Sequence, residues 1–146
     1  MHPFPHHYQV QAVARPEGDV ELSAEGLEPI RSQPPVQFDG PGDRWSPETL
    51  LCAALADCLL MTFRAIARAS RISWDSLEVS VEGRLEREAG NSHFTHFSIH
   101  ARLRIAAGGD PGLAERALHK AEAGCLISNS LKATRELVAE VAVASA

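Results

Sequence analysis

The chain is short of positive charge: 14 Lys and Arg stand against 19 Asp and Glu, giving a formal net charge of −5 and a pI near 5.8. That balance argues against nucleic acid or an anionic membrane surface as the main partner and leaves small molecules or protein. A bilayer-length apolar run is lacking too. Leu50–Phe63 (LLCAALADCLLMTF) is interrupted by Arg64 and Arg68 before it reaches the roughly 20 residues that a spanning helix requires, so no membrane partner is expected. The start, MHPFPHHYQ, carries no basic region followed by an apolar stretch; nothing there reads as a secretory signal, and the cytoplasm is the expected compartment. Cysteine is scarce. Three cysteines, without a CxxC pair or the Cys/His spacing of zinc sites, suggest neither a disulfide framework nor a metal centre, and no cofactor is expected. No repeat, low-complexity linker or second domain is visible, so residues 1–146 are expected to form one domain, with residues 1–7 disordered.

What the chain does have is an apolar helix. Ser46 can cap a helix start and Pro47 fits the first helical position, where its missing N–H costs nothing. From Thr49 to Phe63 the only formal charge is Asp57, so no wide polar face exists and the helix has to be covered on nearly all sides. Before it, Tyr8–Val13 and Asp19–Ser23 alternate polar and apolar residues across a Pro16-Glu17-Gly18 turn, which reads as a hairpin, and Gln33–Phe38 is expected to add a short edge strand. After it, Leu77–Glu86 and Phe94–Ile105 alternate as two long antiparallel strands with one wet face. Asp110-Pro111 starts a second helix that runs to Ala123; Gly124 breaks it, and Leu126–Ala139 reads as a third, with Glu140–Val143 closing as a strand. The expected class is α+β.

Two segments carry a resemblance. Gly40-Pro41-Gly42-Asp43-Arg44-Trp45-Ser46-Pro47-Glu48-Thr49-Leu50-Leu51 with Ala56-Asp57-Cys58, and later Ala121-Glu122-Ala123-Gly124-Cys125-Leu126-Ile127-Ser128-Asn129-Ser130-Leu131, resemble the OsmC/Ohr family of osmotically induced and organic-hydroperoxide-resistance proteins. The resemblance implies an OsmC-like fold: antiparallel sheets around a long buried central helix, in an intertwined homodimer. It also implies reduction of organic hydroperoxides by a pair of cysteines, with a dithiol as reductant. Cys58 is then the peroxidatic thiol and Cys125 the resolving one.

The chemistry agrees with those roles. A thiolate attacks the peroxide bond to give a sulfenic acid, and a second thiol within reach condenses with it and prevents over-oxidation. A Cys58–Cys125 disulfide requires Cα atoms within about 7 Å, so the break at Gly124 should pack against the middle of the central helix. Cys52, six residues from Cys58, points about 120° away on the helix and is assigned to packing. Cys58 lies mid-helix, too far from the N-terminus for the helix dipole to help much, so a cation is expected to stabilise it. The resemblance suggests an arginine held by Glu48. Because Glu48 precedes Cys58 by ten residues, about 15 Å of helix, the site would be shared between two chains. Arg44 is favoured as the arginine for its closeness to Glu48, with Arg15 next and Arg31 also available; Gln37 stands where some members carry theirs. Asp57 beside Cys58, where a small residue is common, would raise the thiol pKa unless it points away. Leu126 replaces a frequent proline after Cys125. The competing function is a non-catalytic small-molecule-binding or stress-associated protein of the same fold, its cysteines structural.

Overall fold

The computed structural model describes residues 1–146. It divides into two compact units, Met1–Leu50 and Leu51–Ala146.

The first unit holds a three-stranded antiparallel sheet of β1 (Gln11–Val13), β2 (Val20–Ser23) and β3 (Ile30–Ser32), in that order. The hairpin expected around Pro16-Glu17-Gly18 is present, with Gln11 opposite Ser23 and Val13 opposite Glu21. The edge strand expected over Gln33–Phe38 is not: β3 ends before Pro34 and Pro35, and Val36–Phe38 forms a single 3-10 turn. Two successive prolines remove two ladder donors, so the pairing stops and the chain turns. Phe38 N–H and Gly40 N–H both donate to the Pro35 carbonyl, at 2.9 and 3.0 Å. A Cβ on Gly40 would fall 1.6 Å from the Pro34 carbonyl oxygen, so only glycine fits there. The chain then returns to β3, where Gln33 N–H donates to the Trp45 carbonyl at 2.9 Å.

Helix α1 (Pro47–Ala69) starts as its sequence dictates. Ser46 is buried, the Thr49 N–H donates to its Oγ at 3.1 Å, and the Ser46 N–H donates to Thr49 Oγ1 at 2.9 Å. These reciprocal bonds satisfy backbone donors that would otherwise be orphaned at the helix start.

In the second unit, β4 (Trp74–Glu88) and β5 (Asn91–Ile105) pair antiparallel along nearly their whole length, with a register shift between Arg84 and Leu85. Helix α2 (Pro111–Ala123) then crosses over to β6 (Thr134–Val143), which lies parallel to β5 and completes the order β4-β5-β6. Asp110 caps α2 by accepting from Gly112 N–H at 2.9 Å and Leu113 N–H at 3.1 Å. The core joins Leu59, Phe63 and Ala67 of α1 to Phe97's strand neighbours Ile99, Ala101, Leu103 and Ile105, and to Ala114, Ala117, Leu118 and Ala121 of α2. Phe63 and Trp74 meet edge to face, with ring centroids 5.5 Å apart. The opposite face of β4 and β5 carries Ser80, Glu82 and Ser98, all exposed, as the alternation requires.

A third helix over Leu126–Ala139 does not form. Only one turn, α3 (Leu126–Asn129), is helical, and the rest is the long strand β6. From Thr134 to Ala142 exposure alternates residue by residue, with Leu137, Ala139 and Val141 turned towards the core. Pairing with β5 overrides the helix propensity of Glu136, Leu137 and Ala139.

Cover for α1 within one chain is narrower than its composition calls for. By length and composition the helix could cross a membrane, yet Leu55, Leu59, Phe63 and Ala67 are fully buried. They form a row at every fourth residue, and they amount to 22% of the most apolar 18-residue stretch. Asp57, Met61, Arg64 and Arg68 are exposed.

Phe63 and Phe97 are the largest of the fully buried side chains. Phe63→Ala should cost about 3–5 kcal/mol by denaturant titration, whereas Ser98→Ala on the open face should stay within about 0.5 kcal/mol.

Candidate active site

Cys58 lies at the middle of α1 and is half-buried. Cys125 is buried and occupies the cap position of α3, where α2 ends at Gly124. The junction meets α1 beside Cys58: a Cβ built on Gly124 would stand 3.8 Å from Thr62 Cγ2. There the two thiols are neighbours, and both are free.

Their environments push the two thiols apart in acidity. Burial raises the Cys58 pKa, but the backbone N–H of Ile127, the Cys125 thiol and the N–H of Leu126 together more than offset it, so the net direction is down. Thr62 adds a smaller contribution in the same direction, and its hydroxyl donates to the Cys58 carbonyl at 2.7 Å. Burial pushes the Cys125 thiol up; the Ser128 hydroxyl and N–H oppose this, and the neighbouring Cys58 adds to it. The neighbouring Cys125 thiol thus favours a thiolate on Cys58. Asp57 is exposed.

Cys52 stands apart from this pair. Burial raises its pKa, and its sulfur meets the backbone of Gly83 in β4. Phe63 and Trp74 are in the core, and Trp45 and Met61 are exposed.

The expected Arg44–Glu48 pair does not form within one chain, where Arg44 has other partners. Arg44 Nε donates to Asp19 Oδ2 at 3.2 Å, and Nη1 lies 3.5 Å from Asp43 Oδ2. Gln33 Nε2 donates to the other Asp19 oxygen at 2.8 Å; this bond first, and Arg44 next, hold the Asp19 carboxyl below its ordinary pKa. Arg31, Arg44, Trp45 and Thr49 line an open depression of about 440 Å³. Glu48 Oε2 is buried and has no hydrogen-bond partner. Arg15 is exposed.

Sequence reasoning missed the groups that contact the sulfurs most directly. The Leu126 and Ile127 amides carry no side-chain signature. Ser128 and Arg135 fell inside the helix expected over Leu126–Ala139, which hid their roles.

Comparison with known proteins agrees with the fold and the motifs. The family model described as OsmC-like protein matches residues 40–139. The chain belongs to the OsmC-like family. An uncharacterized relative, YmaD of Bacillus subtilis, is 31% identical over 114 residues, 75% of each chain. An OsmC-like protein of unknown function from Vibrio cholerae, VCA0330, superposes with a TM-score of 0.83 at 17% identity over 92% of this chain and 100% of its own. An organic hydroperoxide resistance protein, OsmC, from Legionella pneumophila gives a TM-score of 0.74 at 24% identity over 97% of this chain and 100% of its own. The α+β architecture is therefore the OsmC-like one.

The acidity order within this OsmC-like site can be read chemically. At a pH of about 7.5, iodoacetamide should label Cys58 well before Cys52 or Cys125, because thiolate, not thiol, is the nucleophile. Peptide mass spectrometry of a time course gives the order.

Proposed function

We propose that the protein is a thiol-dependent peroxidase that reduces organic hydroperoxides and works as a cytoplasmic antioxidant. One observation carries this reading: two free thiols side by side where the end of α2 meets α1, the half-buried one made more acidic and the buried one less so.

The Cys58 thiolate attacks one peroxide oxygen. An S–O bond forms, the O–O bond breaks, and the alkoxide leaves and takes a proton to become an alcohol. Cys58 is then a sulfenic acid with Cys125 already beside it. The Cys125 sulfur attacks the Cys58 sulfur, the S–O bond breaks, and hydroxide leaves with a proton as water. Two electrons pass from the thiols to the peroxide, and an external dithiol reduces the resulting disulfide by exchange. Burial of Cys125 keeps it a poor first nucleophile, which suits a resolving thiol. The chemistry needs only the two sulfurs and the reductant.

The names of relatives support the substrate class, since those from Legionella pneumophila and Elizabethkingia anophelis are described as organic hydroperoxide resistance proteins. A homodimer belongs to the same proposal. The half-covered, charge-poor surface of α1 is a surface that a second copy would cover. Glu48 is assigned to hold a supporting arginine, for which Arg44 remains the choice, because its buried Oε2 lacks a partner in its own chain. The assignment requires Arg44 to leave Asp19.

Reduced protein should consume about one equivalent of an organic hydroperoxide and end with a Cys58–Cys125 disulfide by mass spectrometry. Consumption should be lost in Cys58→Ser and should end in over-oxidised Cys58 in Cys125→Ser. No consumption by the folded protein would overturn the peroxidase and favour a non-catalytic small-molecule-binding protein of the same fold.

A further inference from the structure

We propose that Arg135 is a positioning residue for the thiol pair: its guanidinium fastens the turn bearing Cys125 to the end of α2 and to β6, and thereby fixes the Leu126 and Ile127 amides against the Cys58 sulfur. The inference rests on the peroxidase reading for its catalytic consequence, while its geometry stands on contacts outside the two cysteines.

Arg135 occupies an inward position of β6, between exposed Thr134 and Glu136, where its strand neighbours Leu137, Ala139 and Val141 are core residues. A charge at such a position needs partners. Its Nε donates to Glu122 Oε1, Nη1 donates to the Ser128 carbonyl at 3.0 Å, and Nη2 donates to Asn129 Oδ1 at 2.8 Å. Asn129 Nδ2 in turn donates to the Ala123 carbonyl at 3.0 Å. Glu122 and Ala123 precede Cys125 and Ser128 and Asn129 follow it, so the network grips the Gly124-Cys125 step from both sides. The guanidinium is well shielded, its side chain 25% exposed and that of Glu122 18%.

The turn needs such a grip. Four residues cannot hold a helix by their own backbone bonds. Yet this turn supplies both amides that act on Cys58, and Ser128, which acts on the Cys125 thiol, accepts from Arg135 at its carbonyl. The three acceptors spread around one planar fork, a geometry that lysine's single ammonium cannot reproduce. The titratable group facing Arg135 is Glu122 on α2, and the one facing Cys58 is the Cys125 thiol; no ionised side chain is among the hydrogen-bond partners of Cys58.

The test is the pH profile of Cys58 alkylation by iodoacetamide, read by peptide mass spectrometry on the reduced full-length protein without peroxide. Arg135→Gln should slow Cys58 labelling roughly five- to tenfold at neutral pH and match the wild type at high pH, as expected for a smaller thiolate fraction. Arg135→Lys should recover part of the loss. A profile superimposable on the wild type would overturn the proposal, and so would an equal fall at every pH, which would mean altered access. Should Arg135→Gln fail to fold by circular dichroism, Asn129→Ala and Glu122→Gln each remove one arm of the network. Smaller shifts in the same direction support the clamp, and unchanged profiles overturn it. Because no hydroperoxide is present, the outcome is separate from that of the peroxidase assay.

Discussion

The need to cover a charge-poor helix governs the second unit. Leu55, Leu59, Phe63 and Ala67 make a single row along α1, and β5 and α2 receive its last three members: β5 with inward residues at every second position, α2 with Ala114, Ala117 and Ala121, small enough for close approach. That row also fixes where Cys58 stands. One residue before Leu59, it is displaced by about 100° around the helix, on the flank of the buried row with Thr62 one turn further on. A thiol at the centre of the row would be sealed from solvent, and one on the far face would lie away from α2. On the flank it is half-buried and meets the end of α2.

That placement decides how the thiol is tuned. The expectation was a cation beside Cys58, because a thiolate in a partly dry setting needs compensation. Within its own unit the compensation comes from neutral dipoles: two backbone amides and a second thiol. Fixed dipoles in a shielded site act strongly on a nearby charge and need no ion to be desolvated alongside it. Such tuning depends on geometry, since an amide that swings away by an ångström loses most of its effect. A site of this kind therefore relies on whatever holds the amides still.

The sequence disclosed the fold unevenly, and the reasons are local. Ser46-Pro47 and Asp110-Pro111 are strong start signals because cap and proline act within three or four residues, and both helices begin there. The long β4–β5 pair was visible because one face is packed and the other wet, so polarity reports geometry. Cys58 and Cys125 could be named from their motifs, although their contact depends on a crossover that no local pattern encodes. The stretch after Pro34-Pro35 misled because alternation alone does not supply the ladder donors that prolines lack. The amides at Leu126 and Ile127 had no signal at all, since every residue carries an N–H and position alone gives these two a role.

The error at Leu126–Ala139 is the most informative. Inward positions of β6 read Arg135, Leu137, Ala139 and Val141, and the arginine at the head of that series breaks the polar–apolar alternation where a strand would declare itself. Were residue 135 apolar, the segment would read as a strand, but the junction would lose the group that bonds Glu122, Ser128 and Asn129 together. The residue that obscures the local pattern is thus the one that ties the strand to the cysteine-bearing turn. Departures from local consistency tend to collect where a chain trades patterning for function, and a buried-side arginine held by three acceptors is a departure of that kind.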